Sequence, residues 1–212
     1  IRRMGASRLA AWLKVRGARN STSVAHAAVE AAKAHSSVLP SEAAGSILVA
    51  KLAATITAID ADLAGIDALI AEQLQQHPDG EIVMSMPGFG PYLAATFLAQ
   101  IGGSLDAFES PDRLASLAGL APLPRDSGRI SYNLHRPRRF NRRLLRTCYL
   151  AALSSLKSSP TSRAFYDRKR AEGKTHKQAL LALARRRINV IWAMLRDHTP
   201  YTEPNQPVPI AA

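Results

Sequence analysis

The sequence predicts an all-α protein, with a long coiled-coil-like helix followed by a compact helical domain. Three observations predict it. Alanine and leucine dominate a chain that is 47% hydrophobic but only 6% aromatic, a mix that favours helix over strand. Apolar residues recur at intervals of three and four along much of the chain, and no stretch alternates with period two. Helix-starting and helix-stopping residues flank these runs: hydroxyl or asparagine caps before them, glycine or proline after them.

Residues 7–16 predict a short helix closed by Gly17, and residues 22–35 a second, opened by Thr22 or Ser23. Pro40 breaks the pattern and Ser41 caps the next helix. Residues 42–76 form the longest periodic segment. Leu48, Leu52, Ile56, Ile59, Leu63, Ile66 and Ile70 follow one another at three or four residues, and from Leu52 onward the spacing is a heptad seam. Asp60, Asp62, Asp67 and Glu72 lie off that seam and read as its charged outer positions rather than as metal ligands. The seam predicts pairing within the chain or between two chains.

His77-Pro78-Asp79-Gly80 ends this helix. A short helix over 81–85 meets the turn Pro87-Gly88-Phe89-Gly90, and another helix runs from Pro91 to Ile101. The arrangement resembles a helix-hairpin-helix. Gly88 and Gly90 let backbone approach closely, and the amides opening the second helix point at an anion. A tight interhelical turn with Phe89 packed inside fits the same residues.

Ser110-Pro111-Asp112 supplies a cap, a first-position proline and a first-turn acid, so a helix starts there and stops near Gly119. Residues 121–124 are extended by their two prolines. Asn141 caps a helix to about Leu156, with Arg139, Arg142, Arg143 and Arg146 on one face and Leu145, Tyr149, Ala152 and Leu156 on a neighbouring one. Pro160 opens a helix closed by Gly173. Thr175 and Gln178 form a capping box before the last helix, whose core is expected from Leu181, Ile188, Ile191, Trp192 and Leu195. The four prolines after Thr199 predict a disordered tail over 199–212.

Charge divides the chain. Residues 1–112 hold 8 basic and 11 acidic side chains, whereas residues 113–212 hold 20 and 5, so the whole net charge of +12 comes from the second half. A positive block of this kind, with arginine far ahead of lysine, predicts a polyanion-binding surface, nucleic acid first. Its centre is residues 118–145, where Ser127-Gly128 sits among Arg125, Arg129, Arg136, Arg138, Arg139, Arg142 and Arg143, with Asp126 the one acid. A Ser-Gly pair in a basic loop is ordinarily a turn. For Ser127 to attack a phosphodiester, the arginines would stabilise the charge developing on phosphate. A further group would then have to move the protons. His135 fits an acid, a base, a phosphate contact or none of these. The single cysteine, Cys148, excludes an internal disulfide and reads as a core residue. No apolar leader and no membrane-length stretch is present, so the expected setting is a reducing cytoplasm. The chain opens on Ile1 with Met4 inside it, which predicts a natural start further upstream.

The segments MPGFGPYLAATFLAQIGG, FESPDRLASLAGLAPLPRDSGR, NLHRPRRFNRRL, SRAFYDRKRAEGK and ALARRRINVIWAMLRD resemble the C-terminal part of one insertion-sequence transposase family. These transposases combine a resolvase-like acidic N-terminal domain with a serine-bearing C-terminal domain, and are also described as bridge-RNA-guided recombinases. The resemblance covers about residues 5–198. It implies that Ser127 is the nucleophile forming a phosphoserine link to DNA, and that Arg125 and Arg129 flank the scissile phosphate. Arg136, Arg138, Arg139, Arg142 and Arg143 would hold the backbone of DNA or guide RNA. It implies a layout of junction helices (1–40), a coiled-coil helix that mediates assembly (41–77), the serine-bearing domain (78–198) and the tail. The family's Mg²⁺-binding acids have no counterpart in residues 1–112, so no metal site is expected in this chain, and a partial copy is. The alternative is a non-catalytic nucleic-acid-binding or dimerisation module.

Overall fold

A computed structural model describes residues 1, 3–34, 42–124, 128, 134–135, 137 and 139–204. Its described residues are helical apart from turns and one short ladder, as the composition predicts. The chain divides into two units, Ile1–Ala61 and Asp62–Ala212, and the division falls inside one helix.

In the first unit, α1 (Gly5–Val15) and α2 (Ser21–Ala34) pack together. Leu9, Ala25 and Val29 form their small core. The second helix opens at Ser21, so Thr22 and Ser23 lie in its first turn rather than before it. Helix α3 (Glu42–Gln76) has the predicted bounds. Its seam residues from Leu48 to Ile66 are each more than half exposed, so the apolar stripe has no cover among the described residues. Asp60, Asp62 and Asp67 are exposed as well.

In the second unit, α4 (Gly80–Ser85), α5 (Pro91–Ile101), α6 (Pro111–Leu117), α7 (Arg142–Ser158), α8 (Pro160–Ala171) and α9 (His176–Arg196) enclose one core. The predicted caps are present. Ser110 accepts from the Arg113 amide, Asn141 from Leu144, and Thr175 and Gln178 close the reciprocal box. Phe97, Leu114, Leu144, Leu183, Ile188 and Ile191 are fully or almost fully buried, which at about 25 cal/mol per Å² makes this cluster the main source of the unit's stability.

Three expectations need correction. The buried face of α7 is Leu144, Thr147, Cys148, Ala151, Ala152 and Ser155, one position round from the predicted stripe. Leu145 and Leu156 sit at its margin. On α9, Leu181 and Trp192 are also marginal, while Leu180, Leu183 and Arg187 are inside. Finally, the tail is packed at its start. The Tyr201 amide donates to Ser85 Oγ at 2.8 Å, and Glu203 accepts from Ser159 Oγ at 3.0 Å and the Thr161 amide at 3.0 Å. A carboxylate there satisfies free amides at the start of α8 and complements its dipole, which holds the chain despite its prolines.

Candidate nucleic-acid interface

The loop that carries the predicted chemistry is closed at its base by backbone. The Asn141 amide donates to Leu117 O at 2.7 Å, joining the end of α6 to the start of α7. Gly119 makes this closure possible. Its φ is +64°, and a Cβ there would lie 2.7 Å from the Phe140 ring. Above the closure, β1 (Leu123–Pro124) pairs antiparallel with β2 (Leu134–His135), Leu123 opposite His135. The two prolines that predict an extended approach therefore enter a two-residue ladder. The segment joining its strands is 125–133. Ser127, Arg125 and Arg129 in it, and Arg136 and Arg138 beyond it, lie outside the described residues. Gly128 is exposed with open space where a Cβ would be.

Arg139, Arg142 and Arg143 are described, and all three are exposed. Asn141 sets the direction of the helix that presents Arg142 and Arg143. Its Oδ1 caps Leu144 at 3.0 Å, and its Nδ2 donates to Gln100 Oε1 on α5 at 2.8 Å. Five other basic residues of this unit are paired locally. Arg163 pairs with Asp167, Arg168 and Lys169 with Glu172, Arg185 with Asp112, and Arg196 with Asp197. Arg142, Arg143 and Arg146 of α7 have no ion pair with any described residue. Three adjacent guanidiniums left unpaired form a positive face on α7, whereas paired charges cancel within a Debye length.

The turn between α4 and α5 faces two ways. Gly88 points inward. At φ +87°, a Cβ on it would lie 2.2 Å from Ala151 O and 2.8 Å from the Ser155 amide of α7. Phe89 meets Phe97 edge to face, with ring centroids 5.7 Å apart. Gly90 is exposed, and its extended backbone leads into Pro91 at the first position of α5. Of the two glycines, only Gly90 has an open face. The turn is held from behind by Arg187, whose Nη2 donates to Pro87 O and whose Nη1 donates to Ser162 Oγ at 3.3 Å. Arg187 stands in the basic run Arg185-Arg186-Arg187, and it is a buried strut. Burial pushes its guanidinium down to about 10, against the pull of Tyr201, Cys148 and Glu203.

Cys148 contributes no nucleophile. Burial pushes its thiol up to about 12, with only partial relief from Arg187, and a buried thiol of that kind is inert. Among the described residues no three histidine, cysteine or acidic side chains gather as a metal site, and no helix is long and apolar enough to cross a membrane.

Comparison with known proteins adds a likeness to one family. Residues 80–167 match the model of the Transposase IS116/IS110/IS902 family. The insertion element IS900 uncharacterized 42 kDa protein of Mycobacterium paratuberculosis is 56% identical over 201 residues, 95% of this chain and 50% of that protein. The insertion element IS116 uncharacterized 44.8 kDa protein of Streptomyces clavuligerus is 47% identical over 208 residues, 98% of this chain and 52% of its own length. A pilin gene-inverting protein of Moraxella bovis is 31% identical over 123 residues, 57% of this chain and 38% of that protein. The chain spans about half the length of the two insertion-element relatives.

Proposed function

With residues 80–167 matching the IS116/IS110/IS902 transposase family, we propose that this chain breaks and rejoins DNA strands through the hydroxyl of Ser127. The carrying observation is the unpaired arginine face of α7, set directly after a closed loop whose sequence centres on Ser127. In the reaction, a Ser127 Oγ–phosphorus bond forms and the phosphorus–oxygen bond to the sugar breaks. The serine proton passes to a base, and the leaving sugar oxygen takes up a proton. Arg125 and Arg129 offset the charge developing on the phosphate. Arg136, Arg138, Arg139, Arg142 and Arg143 hold the backbone of DNA or of a guide RNA, and the amides that open α5 after Gly90 add a further phosphate contact. Attack of a sugar hydroxyl on the phosphoserine reverses the step and joins a new strand. Mg²⁺ belongs, in this reading, to an acidic domain of the full-length protein, which acts in the cytoplasm.

The test is a denaturing-gel assay for a protein–DNA adduct, with Mg²⁺ and the part of the IS900 relative that this chain does not span supplied. Wild type is expected to give cleaved DNA joined covalently to Ser127, and Ser127→Ala none, with DNA affinity changed less than about twofold because a single uncharged hydroxyl contributes little to phosphate binding. If wild type forms no serine-linked adduct under these conditions, the chain is a binding module and the catalytic reading falls.

The exposed seam of α3 carries a second part of the proposal. A stripe of this length with heptad spacing is covered by a second copy. Sedimentation at increasing concentration is expected to show self-association of the wild type and a monomer for Ile59→Lys/Leu63→Lys. Equal masses for both would remove the seam as an interface.

A further inference from the structure

Between α5 and α7 lies a groove of about 550 Å³. Two helix faces line it at helical spacing: Tyr92, Thr96 and Gln100 on α5, and Arg143, Arg146 and Thr147 on α7. No acid lines it. Thr96 Oγ1 donates to Tyr92 O at 2.7 Å and Thr147 Oγ1 to Arg143 O at 3.0 Å, so both hydroxyl protons are already placed and their lone pairs remain. Gln100 uses its oxygen to accept from Asn141 Nδ2, which leaves its own NH₂ as a donor. Tyr92 is 63% exposed, and its ring has no stacking or cationic partner among the described residues. The groove therefore combines two unpaired guanidiniums, a free amide donor and an open aromatic face.

From this combination we infer that the α5–α7 groove binds an unpaired nucleotide within a single-stranded segment. Arg143 and Arg146 take the phosphates on either side, the base stacks on Tyr92, and the Gln100 NH₂ donates to a base carbonyl. A stacking platform beside a cationic track is the recurring solution for single strands. In a duplex both faces of a base are already stacked, so Tyr92 would gain nothing there. The inference rests on the reading that this domain handles nucleic acid, but it does not need Ser127 to be a nucleophile.

Fluorescence anisotropy of the full chain without divalent cation tests it, using labelled oligo(dT) and oligo(rU) of about 12 nucleotides and a duplex of the same length. Tyr92→Ala is expected to weaken single-strand binding at least about fivefold and duplex binding less than about twofold. Tyr92→Phe is expected to keep wild-type affinity. Arg146→Ala should weaken single-strand binding and lower the salt slope by about 0.7. A preference for one oligomer identifies the strand as DNA or RNA. Equal losses on single strand and duplex, an unchanged single-strand affinity in Tyr92→Ala, or a Tyr92→Phe as weak as the alanine variant would overturn the groove. None of these results bears on the adduct assay, which reads Ser127 alone. Both groups of variants lie on exposed positions, and matching thermal melts confirm that the comparison is between folded proteins.

Discussion

Replacing Gly88 with alanine is expected to lower the stability of the Asp62–Ala212 unit by about 3 kcal/mol. Two terms add. The residue has φ +87°, a backbone conformation that costs a side-chain-bearing residue about 1–2 kcal/mol. The new methyl would also meet Ala151 O at 2.2 Å and the Ser155 amide at 2.8 Å. Both are backbone atoms of α7 and cannot swing aside, so helix and turn must separate, an overpacking cost of about 1–3 kcal/mol. Gly90 is the internal comparison, because its φ is −95° and its Cβ position is open. Gly90→Ala should therefore stay within about 0.5 kcal/mol of wild type. Urea titration followed by Trp192 emission in a Trp12→Phe background isolates the second unit. Equal midpoints for the two alanine variants would show that Gly88 is not wedged against α7. The contrast also separates the two roles assigned to this turn, since a glycine needed for packing fails the stability test and one needed for phosphate approach fails only the binding test.

The same turn shows what was legible in the sequence. Helix bounds were legible wherever a cap or a breaker marks them, as at Ser110, Asn141, Thr175 and Gly173, because those signals act within one turn of chain. The long seam of α3 was legible from spacing alone. The face of α7 was read one position off for a different reason. An apolar stripe is located by its large residues, but α7 meets α5 and the Gly88 turn through Thr147, Cys148, Ala151 and Ser155, which are small or polar and weigh little in a hydrophobic pattern. Close helix approach selects for size, not for hydropathy. The packing of Tyr201 and Glu203 was illegible because their partners, Ser85, Ser159 and Thr161, lie 42 to 116 residues away. Of the candidate site, the arginines of α7 were legible and are where the pattern puts them. The frame that presents them, through Leu117, Gly119, Phe140 and the Asn141–Gln100 contact, depends on long-range geometry that composition does not encode. Tyr92 and Gln100 were passed over because each is unremarkable alone and becomes part of a site only when α5 and α7 lie side by side.

Arg187 carries the other large expected effect. It is 6% exposed and ties Pro87 on the turn to Ser162 on α8, while its Nε has no partner. Arg187→Ala leaves a cavity and an unpaired, part-buried carbonyl, and is expected to cost about 3–4 kcal/mol. Arg187→Met fills most of the volume and removes the buried charge, so only the lost hydrogen bonds remain, about 1–2 kcal/mol. The charge itself opposes folding. Its guanidinium sits at about 10 instead of 12.5, so the unfolded chain holds this proton more tightly, and the penalty fades only as pH rises past the folded value. Glu203 offsets part of it from the tail. Burial works against its ionisation, but hydrogen bonds from Thr161, Tyr201 and Ser159 outweigh that and hold its carboxyl below the ordinary 4.5. Its stabilisation is therefore complete above 4.5 and is lost as pH falls through the lower folded value. Urea midpoints at pH 7 are expected to rank wild type above Arg187→Met and Arg187→Ala lowest. On acidification below 4.5, wild type should lose stability relative to Glu203→Gln. An alanine variant as stable as the methionine one would mean that neither volume nor strut matters at this position, and the turn between α4 and α5 would then be held by Gly88 and Phe89 alone.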